Sequence, residues 1–156
     1  MQNDVKNIIA QVAEVQLSYK SKVKACDRPV IRSSFECYQL LLQIWEDHSL
    51  ELSESFKVLY LNRANQVLCF YTLSTGGMTG TVADPRLIFM TALKVAACNL
   101  ILCHNHPSGN VKPSDADIEL TRKIVDAGRL LDIRVLDHVI VTADGYYSFS
   151  DEGLIN

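Results

Sequence analysis

An apolar run, Asn99 to Cys103, reads as a short buried strand and ends in two histidines one residue apart, His104 and His106. Alternate side chains of an extended segment point the same way, so both imidazoles can face one point in space. Pro107, Gly109 and Pro113 forbid continuing a strand or a helix, which makes the next stretch a loop. Ser114 then opens a helical pattern with Asp117 in its first turn, and the loop is long enough to bring Asp117 back to the histidines. Two imidazoles and a carboxylate are three protein ligands for a divalent ion, with a fourth position left for water. That is the donor set of a catalytic zinc rather than a structural one, although other ions suit histidine and carboxylate too. Ser114-x-x-Asp117 reads equally well as an N-terminal helix cap, because both side chains can accept from free backbone N–H groups.

The surrounding pattern supplies elements to position these groups. Asn3 or Asp4 can cap a first helix with Val5, Ile8, Ile9, Val12 and Val15 at helical spacing. A basic connection from Tyr19 to Arg32 follows. Ser33 and Glu36 then form a capping box for a second helix carrying Phe35, Tyr38, Leu41, Leu42 and Trp45 on one stripe. Ser55 to Leu61 and Gln66 to Leu73, joined by Asn62-Arg63-Ala64-Asn65, predict a hairpin. Gly76, Gly77 and Gly80 mark a loop or irregular strand that a substrate backbone could approach closely.

Asp84-Pro85 starts a helix running to about Ala97, with Leu87, Ile88, Ala92 and Val95 as its apolar positions. Beyond the histidine loop the spacing predicts a helix from Asp115 to about Gly128, with Ile118, Thr121, Ile124 and Val125 inward. A buried strand from Ile133 to Thr142, a turn at Ala143-Asp144-Gly145 and a partner strand from Tyr146 to Phe149 complete the chain. An initial hairpin followed by alternating strands and helices gives an α/β fold, a mixed sheet flanked by helices.

With 156 residues the chain is long enough for one substantial core, and 48% hydrophobic against 21% charged residues suits an ordinary soluble globular protein. No apolar run approaches a membrane span, and no secretion pattern opens the chain. Five scattered cysteines without Cys-x-x-Cys spacing suit reduced thiols in a cytoplasm. Cys103 adjoins the histidines but, in a strand, points away from them and belongs to the core. A net charge of −3 argues against a surface built wholly for nucleic acid. Locally, Lys20, Lys22, Lys24, Arg28 and Arg32 are offset only by Asp27, which fits a solvated linker or a nucleic-acid contact.

His104-x-His106-Pro107, followed by Ser114-x-x-Asp117, resembles the JAMM motif of MPN-domain metallopeptidases. The form His104-Asn105-His106-Pro107-Ser108-Gly109, with Leu136-Asp137-His138 downstream, resembles the RadC family in particular, whose proteins are traditionally named as DNA-repair factors. The similarity runs from about Ser53 to the C-terminus. It implies a RadC-like MPN/JAMM domain over 51–156, preceded by an N-terminal helical segment and basic linker over 1–50. The implied architecture is a three-layer, cytidine-deaminase-like arrangement.

The resemblance also implies a zinc-dependent peptidase or isopeptidase, with zinc held by His104, His106 and Asp117. Glu54, just before the strand at Ser55, takes the position of the general base, and Glu51 is its nearest competitor. Ser114 would stabilise the oxyanion of the tetrahedral intermediate through its hydroxyl. His138, in an apolar strand, is expected in the core or behind a ligand rather than on the metal. The partner would be a peptide or protein. Asn105 stands where deubiquitinating relatives carry Ser or Thr, and no insertion is evident for recognising ubiquitin. Many RadC-like proteins carry a helix-hairpin-helix DNA-binding segment that depends on glycine, yet no glycine precedes Gly76, so weak duplex binding at most is expected. A DNA-repair accessory and a metal-free interaction module are the competing readings.

Overall fold

A computed structural model of the chain describes Ala13 and residues 15–45, 49–76 and 83–155. Its regular elements are α1 (Ser34–Ile44), β1 (Ser55–Leu61), β2 (Val67–Thr75), α2 (Pro85–Lys94), β3 (Asn99–Asn105), α3 (Asp115–Leu130), β4 (Arg134–Val141) and β5 (Tyr146–Ser148). The five strands form one sheet in the order β2-β1-β3-β4-β5. Only the β3–β4 pair is parallel, so the sheet is mixed, as expected. The long return between those two strands carries α3, since parallel neighbours need a crossover.

Strand alternation divides the core in two. Phe56, Val58, Tyr60, Leu100 and Leu102 face α2 and α3, where they meet Ile88, Phe89, Ala92 and Ile124. Leu59, Leu61, Ile101, Cys103, Val139 and Val141 face the opposite way and pack with Cys37, Tyr38, Leu41 and Trp45 of the α1 side. Helices therefore cover both faces, and β1 is buried at all seven positions. Cys103 belongs to the α1 face, as its parity requires. His104 lies on the other face, the one covered by α3.

Three details differ from the expected elements. The buried stripe of α1 runs through Cys37, Tyr38 and Leu41 to Trp45, whereas Phe35 and Leu42 are exposed. At its start Ser33 accepts from the N–H of Glu36, while the Glu36 carboxylate reaches one residue further back, to the N–H of Arg32. Helix α2 stops at Lys94 because Ala96 turns to φ 53. Helix α3 runs past Gly128 to Leu130. An added Cβ at Gly128 would clash with the carbonyl oxygen of Ile133, so this glycine serves close packing rather than helix termination.

The basic connection from Tyr19 is irregular apart from a 3₁₀ turn at Ala25–Asp27, and Val30 bridges to Gln66 beside the hairpin. The first amphipathic helix falls outside the described residues, except for Ala13 and Val15, which are non-helical, Val15 being 82% exposed. Gly77 and Gly80 also lie outside them. Among the described residues no helix is long and apolar enough to cross a membrane.

Candidate metal centre

Three chain segments meet at one end of the sheet: the start of β1, the end of β3 and the first turn of α3. The antiparallel register pairs Phe56 with His104.

His104 Nε2 and His106 Nε2 are 3.0 Å apart. Asp117 brings Oδ1 to 3.3 Å from the first and Oδ2 to 3.9 Å from the second. Donor atoms about 2.0–2.1 Å from a tetrahedral zinc stand roughly 3.3–3.4 Å from one another, and the observed separations bracket that value. Among the described residues these three side chains form a possible metal site. His104, His106 and Asp117 are thus brought together as the spacing predicts.

Each donor is held from behind. His106 Nδ1 donates to the carbonyl of Asn110 at 2.6 Å, within its own loop. The Asp117 Oδ2 atom accepts from the N–H of Ser114 at 2.8 Å and from its hydroxyl at 2.6 Å. Ser114 in turn accepts from the N–H of Asp117, closing a capping box. Cap and ligand are therefore compatible roles for Asp117, which shares its two oxygens between them.

His104 Nδ1 lies 2.8 Å from Nε2 of His138, whose Nδ1 lies 2.6 Å from Thr121 Oγ1. The Thr121 hydroxyl donates to the main-chain carbonyl of Asp117 at 2.6 Å. His138 is fully buried, stacked on Phe149 at 4.6 Å, and Phe56 stacks on His104 at 5.9 Å. Burial among these rings pushes the pKa of His104 down to about 4. Asp117 opposes that shift and His106 adds to it. His138 is held well below its ordinary value, first by burial and then by the two other histidines. Both rings are therefore neutral at pH 7, the state a metal ligand requires. His138 stands in the core behind His104.

Glu54, Glu51, His106 and Ser114 line one cleft of about 570 Å³, together with Ser108, Asn110 and Lys112. The distance from Glu54 to the histidines is bridged by a residue that sequence reading treated only as a departure. Asn105 is fully buried. Its amide donates to the carbonyls of Leu50 and Ser53 at 2.6 and 2.9 Å, and its Oδ1 accepts from the N–H of Ser55 at 2.8 Å. The side chain between the two histidines thus ties down the segment that carries Glu54. Thr121 was legible only as an inward position. Its signal was its place four residues after Asp117, where a threonine hydroxyl reaches the preceding turn's carbonyl.

Helices on both faces of a mixed sheet, with two histidines and an aspartate gathered at the end of β3, define an α/β domain with a possible metal site. The chain belongs to the RadC family: the model for the RadC-like JAB domain matches residues 31–154, a span that includes α1. It is 52% identical over 101 residues to a UPF0758 protein of Flavobacterium johnsoniae, covering 65% of this chain and 44% of that one. A UPF0758 protein of Bacillus cereus is 36% identical over 141 residues, 90% of this chain and 59% of its own length. One of Porphyromonas gingivalis is 47% identical over 103 residues, 65% of this chain and 45% of that one. The chain spans about half the length of the curated relatives it matches.

Proposed function

We propose that this domain is a zinc-dependent hydrolase acting on peptide or isopeptide bonds. The observation that carries the reading is the convergence of His104, His106 and Asp117 beside a cleft that Glu54 and Ser114 also line. Zinc held by the three side chains would supply Lewis acidity and bring the pKa of a water towards ~7. The chain's own groups do the rest. Glu54 takes a proton from the attacking water on its carboxylate and returns it to the leaving amine nitrogen. Ser114 serves the oxyanion, and the proton it now donates to Asp117 Oδ2 is the one it would turn to the substrate. With a net charge of −3, duplex DNA should bind only near non-specific strength, roughly 10⁻⁴–10⁻⁶ M.

Metal analysis and one substitution test the reading. Protein purified without added metal should carry about one zinc per chain. Glu54→Gln keeps the size of the side chain and removes its basicity, so zinc content and thermal stability should hold while turnover of peptide substrates falls by ~10²–10⁴. A wild-type chain that stays metal-free in excess zinc overturns the metal assignment. Unchanged turnover in Glu54→Gln overturns the base and makes Glu51, in the same cleft, the next candidate.

A further inference from the structure

The hydrogen bonds behind His104 have only one consistent set of protons. A carbonyl can only accept, so the single hydroxyl proton of Thr121 goes to Asp117. Thr121 Oγ1 must then accept from His138, which places that ring's proton on Nδ1. His138 Nε2 is left with a bare electron pair and accepts from Nδ1 of His104. The last step leaves Nε2 of His104 without a proton, facing the site.

We propose that Thr121 and His138 are positioning residues, forming a relay rooted in the main-chain carbonyl of Asp117 that holds His104 in its metal-binding tautomer. The proposal rests on the metal reading above. It makes Asp117 serve twice, its carboxylate as a ligand and its carbonyl as the anchor that orients another ligand. On the other side, the Asn110 carbonyl imposes the same tautomer on His106. Two bare Nε2 atoms 3.0 Å apart beside a carboxylate repel one another, and a cation between them removes the repulsion. Both orienting partners, an imidazole anchored on a threonine hydroxyl and a main-chain carbonyl, are neutral. Aspartate is the only charged donor of the three.

Thr121→Val keeps the shape and removes the hydroxyl. The carbonyl of Asp117 keeps its helical partner, but the N–H of His138 loses its acceptor. The ring then gains by moving its proton to Nε2, which forces His104 to carry its own proton on Nε2, towards the metal. Zinc affinity of the full chain, measured by competition with a chelator, should fall by ~10–100-fold. Thr121→Ser should restore it to within a few-fold, at an unchanged melting temperature.

Long-range proton–nitrogen NMR of the zinc-free wild type above pH 7 should show His104 and His138 protonated at Nδ1. In Thr121→Val the His104 proton should appear at Nε2. A wild-type His104 protonated at Nε2, or zinc bound equally well after Thr121→Val, overturns the relay alone. Wild-type protein that takes up no zinc overturns the metal reading and, with it, this role for Thr121.

Discussion

His104 and His106 offer the same atom to the same point, but two differently built regions hold them. His104 ends a central strand, with its side chain 1% exposed, and its orientation comes from β4 and α3 through His138 and Thr121. The side chain of His106 is 17% exposed, and it is supported from behind by Asn110, four residues along the same loop. One imidazole is set by packed elements and the other by a turn beside the open cleft. Such a division would suit the proposed site, which must keep a metal in place and still admit a substrate. Buried, fully paired polar groups give rigidity at the cost of being intolerant to change. A loop ligand gives access and is cheaper to remove.

The largest expected effect separates the two. His106→Ala and His104→Ala should both abolish stoichiometric zinc, since each leaves only two protein donors. Only His104→Ala should damage the zinc-free fold. It opens a cavity beside Phe56 and strips His138 of its partner, and a buried unpaired group costs ~1–3 kcal/mol before any cavity term. Zinc content together with thermal melts of both zinc-free variants checks this. Equal loss of melting temperature in the two would erase the distinction between strand and loop ligands.

What the residues reveal in advance follows the same division. The His-x-His pair, the loop-forming prolines and the Ser114 cap are local features, and local spacing was enough to bring His104, His106 and Asp117 together. Both hairpin strands and the mixed sheet were also legible, because alternation and turn chemistry act over a few residues. The relay was not. Thr121 meets His138 across 17 residues, and Asn105 meets Leu50 across 55, contacts that depend on strand order and register. The stripe of α1 differs for a related reason: which face of the helix meets the sheet, burying Cys37 and leaving Phe35 exposed, is settled by contacts distant in sequence.

A smaller effect concerns Asn105, which holds the loop-like segment before β1 as firmly as His138 holds His104. Asn105→Ala leaves the N–H of Ser55 and the carbonyls of Leu50 and Ser53 without their side-chain partner. Stability should fall by roughly 2–4 kcal/mol, since water can reach part of this segment and spare it the full penalty at each group. Zinc content should survive, because no donor is touched, while turnover drops as Glu54 loses its fixed position. If turnover holds despite the lost stability, Asn105 is structural only, and the segment carrying Glu54 needs no such anchor.

The remaining effect is a slope with pH, and it belongs to the buried region alone. Burial lowers His104 from the ordinary 6.5 to about 4, and His138 moves in the same direction. Between those values the unfolded chain binds protons that the zinc-free folded chain refuses. The histidine contribution to stability is therefore fully present above about 6.5 and is lost as pH falls towards 4, at no more than ~1.4 kcal/mol per pH unit for each ring. Asp137 runs the other way. Burial raises its carboxyl above 3.8 despite hydrogen bonds from Ser148, Ser150 and His138. Its contribution is present below 3.8 and is lost as pH rises through the raised value, so it opposes the histidine slope wherever it titrates. Denaturant melts of zinc-free protein from pH 8 to pH 4 should accordingly show a plateau, then a decline beginning near 6.5. A histidine in a solvated loop would contribute no such decline, so a flat profile down to pH 4 would mean that His104 is no better shielded than an ordinary surface ring.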